Sequence, residues 1–129
     1  LGYLSGYDNL ELIAQIKGVA TPEDIHSALR LVGLDADEKK KFRAYSLGMK
    51  QRLGIAAAIM EKPKLLVLDE PTNALDEAGV EMLKCVVAMA VSAGREVILS
   101  SHDGEVLEEL ADRVYCMRDG AVVKVRERS

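Results

Sequence analysis

The chain has 129 residues, of which 49% are hydrophobic, and its 17 basic and 21 acidic side chains leave a net charge of −4. That length holds one domain with one core, and the apolar content excludes an intrinsically disordered chain. Acidic and basic residues alternate without forming a basic stripe, which argues against a nucleic-acid surface.

Residues 1 to about 45 read as helices only. Ser5-Gly6-Tyr7-Asp8 has the form of a capping box, in which serine and acid satisfy the first free amides of a helix. Leu10, Ile13 and Ala14, with the stem of Lys17, then share one face, and Gly18 suits the stop. Thr21-Pro22-Glu23-Asp24 repeats the device with proline at the first helical position. Ile25, Ala28, Leu29 and Val32 follow at helical spacing as far as Gly33. Lys39-Lys40-Lys41 is the single basic run and reads as a solvated helix face in preference to a phosphate-binding patch.

From about residue 46 the periodicity changes. A helix rich in Ala and Ile runs from Gly48 to Met60 and is stopped by Pro63. Leu65-Leu66-Val67-Leu68 is a short continuous apolar run, the pattern of a strand buried on both faces in a parallel sheet. Asp76 caps a helix carrying Val80, Leu83, Val87 and Val91, closed by Gly94. Val97-Ile98-Leu99 predicts a second buried strand, and Asp103 opens a short helix through Ala111. Val114-Tyr115-Cys116-Met117 predicts a third strand, which Asp119-Gly120 turns into a hairpin with Val122-Val123. The alternation of strand and helix predicts an α/β sheet joined by right-handed crossovers.

Cys85 and Cys116 each sit in an apolar run without a CxxC spacing, so buried free thiols in a reducing compartment are expected. No apolar run approaches the ~18 residues needed to span a bilayer, and no signal peptide is visible. Any link to a membrane is therefore expected to pass through a partner. The chain starts at Leu1 and not at Met, as an excised piece would.

In an open parallel sheet, ligands bind beyond the carboxyl ends of the strands. Here those ends are polar: the first strand runs into Asp69-Glu70 and the second into Ser100-Ser101-His102. An aspartate at such a point can hold Mg²⁺ through water beside nucleotide phosphates. A neighbouring glutamate can orient or deprotonate water, and a histidine can hydrogen-bond a transferring phosphoryl group. Taken singly, an Asp-Glu pair is equally a helix N-terminus or loop, and a lone histidine is more often structural.

Four motifs in fixed order narrow the choice. Leu65 through Thr72 resembles the Walker B segment of ATP-binding cassette (ABC) proteins, and Asn73-Ala74-Leu75-Asp76 is similar to their D-loop. Ser101-His102-Asp103 resembles their switch-histidine loop, and Tyr45-Ser46-Leu47-Gly48-Met49-Lys50-Gln51-Arg52-Leu53 resembles the signature that names the family. The resemblance extends over essentially the whole chain. It implies an incomplete P-loop NTPase fold, with residues 1–45 as a helical subdomain portion and 46–129 as the C-terminal part of the ATPase core. Asp69 would match the Mg²⁺-associated aspartate, Glu70 the catalytic glutamate that positions water, and His102 the residue reaching the γ-phosphate. Ser46 and the amide of Gly48 would contact ATP held by an opposite cassette, as a helix N-terminus suits an anion. Asp76 would sit at the dimer seam, while also serving as a plain helix N-cap. The usual Leu-Ser-Gly-Gly-Gln is altered, with Tyr45, Leu47 and Met49 in place of Leu, the first Gly and Gln. This form looks most like the ATPases of bacterial drug and peptide-antibiotic exporters.

No lysine within these residues is followed by Ser or Thr, so the Walker A pattern G-x-x-x-x-G-K-[ST] is missing. Gln15 and Gln51 are the two glutamines; the first falls in a predicted helix and the second in the signature, so a separate Q-loop is missing as well. In the family's strand order the Walker A strand lies between the strands here ending at Ser100 and starting at Val114. A parallel-sheet half lacking its centre is expected to expose unpaired edges, to self-associate or rearrange, and to hold ATP and Mg²⁺ poorly. The resemblance implies an ATPase subunit at the inner face of the cell membrane, with a second ATPase subunit and a transmembrane permease as partners and no nucleic acid. Leu1, Tyr3, Leu4 and Tyr7 lie either where the family docks a permease helix or in the helical core. A ribosome- or DNA-associated ABC ATPase is disfavoured by the short stretch before the signature and its lack of metal cysteines. A non-enzymatic association fragment is the third class.

Overall fold

The computed structural model describes residues 1–18 and 20–128. Three helices, α1 (Gly6–Lys17), α2 (Pro22–Leu31) and α3 (Leu47–Met60), precede the first strand, β1 (Leu65–Asp69). Then come α4 (Glu77–Ser92), β2 (Glu96–Ser100), α5 (Gly104–Leu110), β3 (Arg113–Arg118) and β4 (Ala121–Glu127).

Helix starts follow their caps. Ser5 Oγ accepts from the Asp8 amide at 3.1 Å. The reciprocal half of the expected capping box does not form, and the Ser5 backbone instead pairs with Lys41 in an isolated antiparallel bridge. At α2 the box is complete: Thr21 Oγ1 accepts from the Asp24 amide and Asp24 Oδ2 accepts from the Thr21 amide. Gly18, at φ +65°, stops α1 in the left-handed region that glycine enters without a Cβ penalty.

The first 45 residues are not wholly helical. Beyond Gly33 the chain runs as a loop with a 3-10 turn at Phe42–Ala44. Lys39, Lys40 and Lys41 are exposed, as a solvated run should be, but lie in this loop and not on a helix. The cause is local: Asp35 and Glu38 accept hydrogen bonds from the amides of Asp37 and Lys40, competing with helical pairing.

One core joins the helices to the first sheet. Leu10, Ile25, Leu29, Val32, Leu53, Met60, Leu66 and Leu83 are buried together, each contributing about 1.5–3 kcal/mol on leaving water. On α4 the buried face comprises Leu83, Val86, Val87 and Ala90; Val80 is half-buried and the expected Val91 is exposed. Cys85 projects outward from that helix and is exposed, and Cys116 is half-buried, so neither is the buried thiol expected. At 85 the intervening core residues leave only the solvent side of the helix, whatever the apolarity of the run.

β1 and β2 pair in parallel, from Leu65 opposite Glu96 to Asp69 opposite Ser100. The expectation of strands buried on both faces fails. Leu66 and Leu68 are buried, but Val67 is 60% and Ile98 58% exposed, because helices cover only one face of this pair among the described residues. The third strand does not extend that sheet either. β3 pairs only with β4, antiparallel, in a separate two-stranded sheet. The Asp119-Gly120 turn is as expected, with both residues at positive φ (52° and 80°).

Candidate functional site

The parallel register sets Asp69 beside Ser100, so the two strands deliver their polar ends to the same place. Ser100 Oγ donates to Asp69 Oδ1. The other Asp69 oxygen has no hydrogen-bond partner among the described residues. Asp69 therefore keeps one oxygen for a water or cation. Ser100 serves the next residue too, since the Glu70 amide donates to Ser100 Oγ at 3.0 Å and to the Ser100 carbonyl at 3.1 Å. These bonds hold Glu70 at φ +47°, a region that non-glycine residues enter only when their surroundings fix them there.

The turn aims Glu70 across the strand ends. Its Oε1 lies 3.2 Å from His102 Nε2; the carboxylate is 25% exposed and the imidazole 97%. Asp103, the N-cap of α5, anchors the loop beyond His102 by accepting from the amides of Glu105 and Val106. Glu70 and His102 line an open cleft of about 830 Å³ with Thr72, Asn73, Asp103 and Arg126. A carboxylate and an imidazole facing one polar cleft suit the handling of water and of a phosphoryl oxygen. No cluster of three or more His, Cys, Asp or Glu side chains fit to cage a metal exists among the described residues. Asp69 by its free oxygen suits a cation brought in by phosphates, not one held in a protein cage.

The remaining candidates lie on α3 and the loop before α4. Ser46 caps α3, its Oγ accepting from the Met49 amide at 3.1 Å, which leaves the hydroxyl hydrogen free to donate. Gly48 lies against the second loop: a Cβ built there would stand 3.0 Å from the carbonyl oxygen of Ala74. Asp76 caps α4 through the Gly79 amide at 2.8 Å and pairs with Arg52 Nη2 at 3.6 Å. Ser46 and Gly48 do not line the cleft that Glu70 and His102 share. The sequence reading missed the residues that bind these parts together. Gln51 Nε2 donates to the carbonyls of Pro71 (3.1 Å) and Glu70 (3.4 Å), and Arg52 Nη1 donates to the Val32 carbonyl at 2.6 Å. The signal was available in two long polar side chains following Ser46 on a helix otherwise rich in Ala and Ile.

Tyr45 is buried at the foot of α3. Burial pushes its hydroxyl above the ordinary tyrosine range, with the Gly6 backbone pulling the other way and Glu38 adding to the rise. Gly6 is required beside it, since a Cβ there would collide with that hydroxyl.

Residues 2–73 match the family described as ABC transporter. The chain is 42% identical over 122 residues to the bacitracin transport ATP-binding protein BcrA of Enterococcus faecalis, covering 94% of this chain and 40% of that protein. It is 40% identical over 124 residues to the lantibiotic transport ATP-binding protein SrtF of Streptococcus pyogenes, covering 96% and 54%. The chain thus spans about half the length of the curated relatives it matches. Among solved structures, an ATP-binding subunit of an ABC transporter superposes with a TM-score of 0.86 at 25% identity, covering 98% of this chain and 54% of that one. The dimeric cassette MJ0796 superposes with a TM-score of 0.87 at 24% identity, covering 98% and 58%, a likeness of fold.

Proposed function

The chain belongs to the ABC transporter family, and on that premise we propose that it is the C-terminal portion of an ATP-hydrolysing subunit of a bacterial exporter of the peptide-antibiotic type. The observation that carries this reading is the meeting of Glu70 and His102 at the carboxyl end of the parallel pair, with Asp69 beside them. Residues 1–45 are then part of the helical subdomain, and residues 46–129 part of the ATPase core.

In this reading Glu70 orients the attacking water and takes up its proton. His102 donates to a γ-phosphate oxygen from the exposed end of the cleft. Asp69, by its free carboxylate oxygen, would hold Mg²⁺, which would supply charge neutralisation at the phosphates. Ser46 and the Gly48 amide serve the ATP of a second cassette, the serine through its free hydroxyl hydrogen and the amide through the positive end of α3. Asp76, tied to Arg52, lies at the seam between the two cassettes. The partners are therefore a second ATPase subunit and a membrane permease. No helix among the described residues is long and apolar enough to cross a membrane; in this reading the subunit sits at the inner face through the permease.

The test is ATP hydrolysis by the full-length protein carrying Glu70→Gln. Turnover is expected to fall by a factor of about 10²–10⁴ with ATP still bound. Unchanged turnover would refute the assignment.

A further inference from the structure

Glu70 is tethered on both flanks. On the amide side, Ser100 accepts through its carbonyl and its Oγ. On the carbonyl side the Glu70 oxygen accepts from the Asn73 amide at 3.1 Å and from Gln51 Nε2 at 3.4 Å, and the same nitrogen donates to the Pro71 carbonyl at 3.1 Å. Gln51 is the only one of these partners that comes from another element by its side chain on that flank. It stands on α3, the helix that Ser46 caps, and it is half-buried. Glu70, at φ +47°, lies in a backbone region that a non-glycine residue keeps only while its surroundings over-determine it.

We propose that Gln51 is a positioning residue for hydrolysis: its carboxamide fixes the peptide after Glu70 and so aims the Glu70 carboxylate at His102. The proposal rests on the reading of Glu70 as the hydrolytic acid. Gln51 itself does not line the cleft. Its loss lets Glu70 relax toward the right-handed region and turns the carboxylate away, without removing any group that meets nucleotide. The effect therefore falls on turnover and not on nucleotide affinity.

The experiment uses steady-state ATP hydrolysis by the full-length protein. Gln51→Met keeps length and volume but removes the donor, and Gln51→Lys restores a donor of similar reach. For Gln51→Met the expected kcat is lower by about tenfold, the loss of roughly one buried hydrogen bond's worth of barrier. KM for ATP is expected to stay within about twofold. Gln51→Lys is expected to return kcat to within about threefold of the parent. Parent-like kcat in a folded Gln51→Met protein overturns the proposal, as does a rise in KM at unchanged kcat. If Gln51→Met does not fold, Gln51→Lys decides alone: parent-like turnover supports the donor role, and a tenfold loss at unchanged melting temperature overturns it. Glu70→Gln run in parallel separates the two layers. If it hydrolyses ATP normally, the hydrolytic reading fails; if it is inactive while Gln51→Met is normal, only the positioning role fails.

Discussion

Glu70 reaches His102, 3.2 Å away, from a backbone turned into the left-handed region at φ +47°. The strain and the reach are one feature, since the turn directs the carboxylate over the ends of both strands. Glu70→Gly should therefore stabilise the fold by up to about 1 kcal/mol, because glycine enters this region without a Cβ penalty. It should abolish ATP turnover in the full-length protein. Chemical denaturation and an ATPase assay on the same sample check both halves. A destabilised glycine variant would show that the backbone there is not strained.

Arg52 ties three segments together. It donates to the Val32 carbonyl at 2.6 Å, pairs with Asp76 at 3.6 Å and lies beside Gly33, where a Cβ would come within 2.8 Å of Nη1. The guanidinium is mostly covered, while Asp76 is largely exposed. The carbonyl bond is thus the larger part, and the ion pair is screened. Arg52→Met should cost about 1–3 kcal/mol in denaturant unfolding, mostly from the stranded Val32 carbonyl. Gly33→Ala should also destabilise, since Gly33 sits at φ +78° and the new methyl displaces the same guanidinium. Raised salt should leave most of the Arg52 effect in place.

Capping residues, turn glycines and helical periodicity were legible because each acts over a few residues. Thr21 with Asp24, Gly18 and Asp119-Gly120 all stand where local chemistry predicts. So was the clustering of Asp69, Glu70 and His102, which follows from strand ends and parallel register. Burial was less legible. An apolar run such as Leu65–Leu68 shows that a strand is suited to cover on both faces, but not which neighbours cover it. Val114–Met117 likewise carries no mark of the strand it pairs with. Gln51 and Arg52 escaped notice because their partners are backbone carbonyls some 20 residues away, and a carbonyl has no residue type to read.

Asp24 gives the pH dependence. The Thr21 amide, then Lys62 and the Thr21 hydroxyl, hold its carboxyl below the ordinary value of 3.8. A carboxyl whose folded pKa is depressed contributes stability that is present above the unfolded value and lost as pH falls through the folded one. Asp24→Asn should therefore lower the melting temperature near neutral pH and match the parent in strong acid. A gap between the two proteins that stays constant from neutral pH to well below about pH 3 would contradict this.

Gly48 leaves little room for a side chain. A Cβ there would stand 3.0 Å from the Ala74 carbonyl, so the loop must give by a few tenths of an ångström. Gly48→Ala raises the helix propensity of α3 by up to about 1 kcal/mol, yet forces α3 away from the loop that leads to Asp76. The fold of the single chain should be altered by little, while ATP-driven pairing of two full-length cassettes should weaken. Light scattering with Glu70→Gln as the common background, expected to hold ATP without consuming it, measures the pairing directly. Unchanged pairing would mean that the α3 terminus lies outside the seam.

The exposed face of the parallel pair predicts how these 129 residues behave alone. Val67 and Ile98 are direct partners across the strands, both more than half exposed, and Leu65 extends the same surface. β1 and β2 each also present one unpaired edge among the described residues. Open edges beside an apolar face recruit further strands, and a second copy is always at hand. The 129-residue polypeptide should therefore sediment as concentration-dependent oligomers at tens of micromolar, roughly the range in which such exposed strands associate. Ile98→Lys should shift it to monomer without unfolding, because that side chain faces water and not the core. In the full-length protein the same substitution should leave strand association unchanged but lower stability, if the proposed reading holds and the rest of the cassette covers this face. A monomer whose sedimentation does not vary with concentration would remove the self-association, and a full-length protein that accepts Ile98→Lys at no cost would show that this face is solvent-exposed in the whole cassette as well.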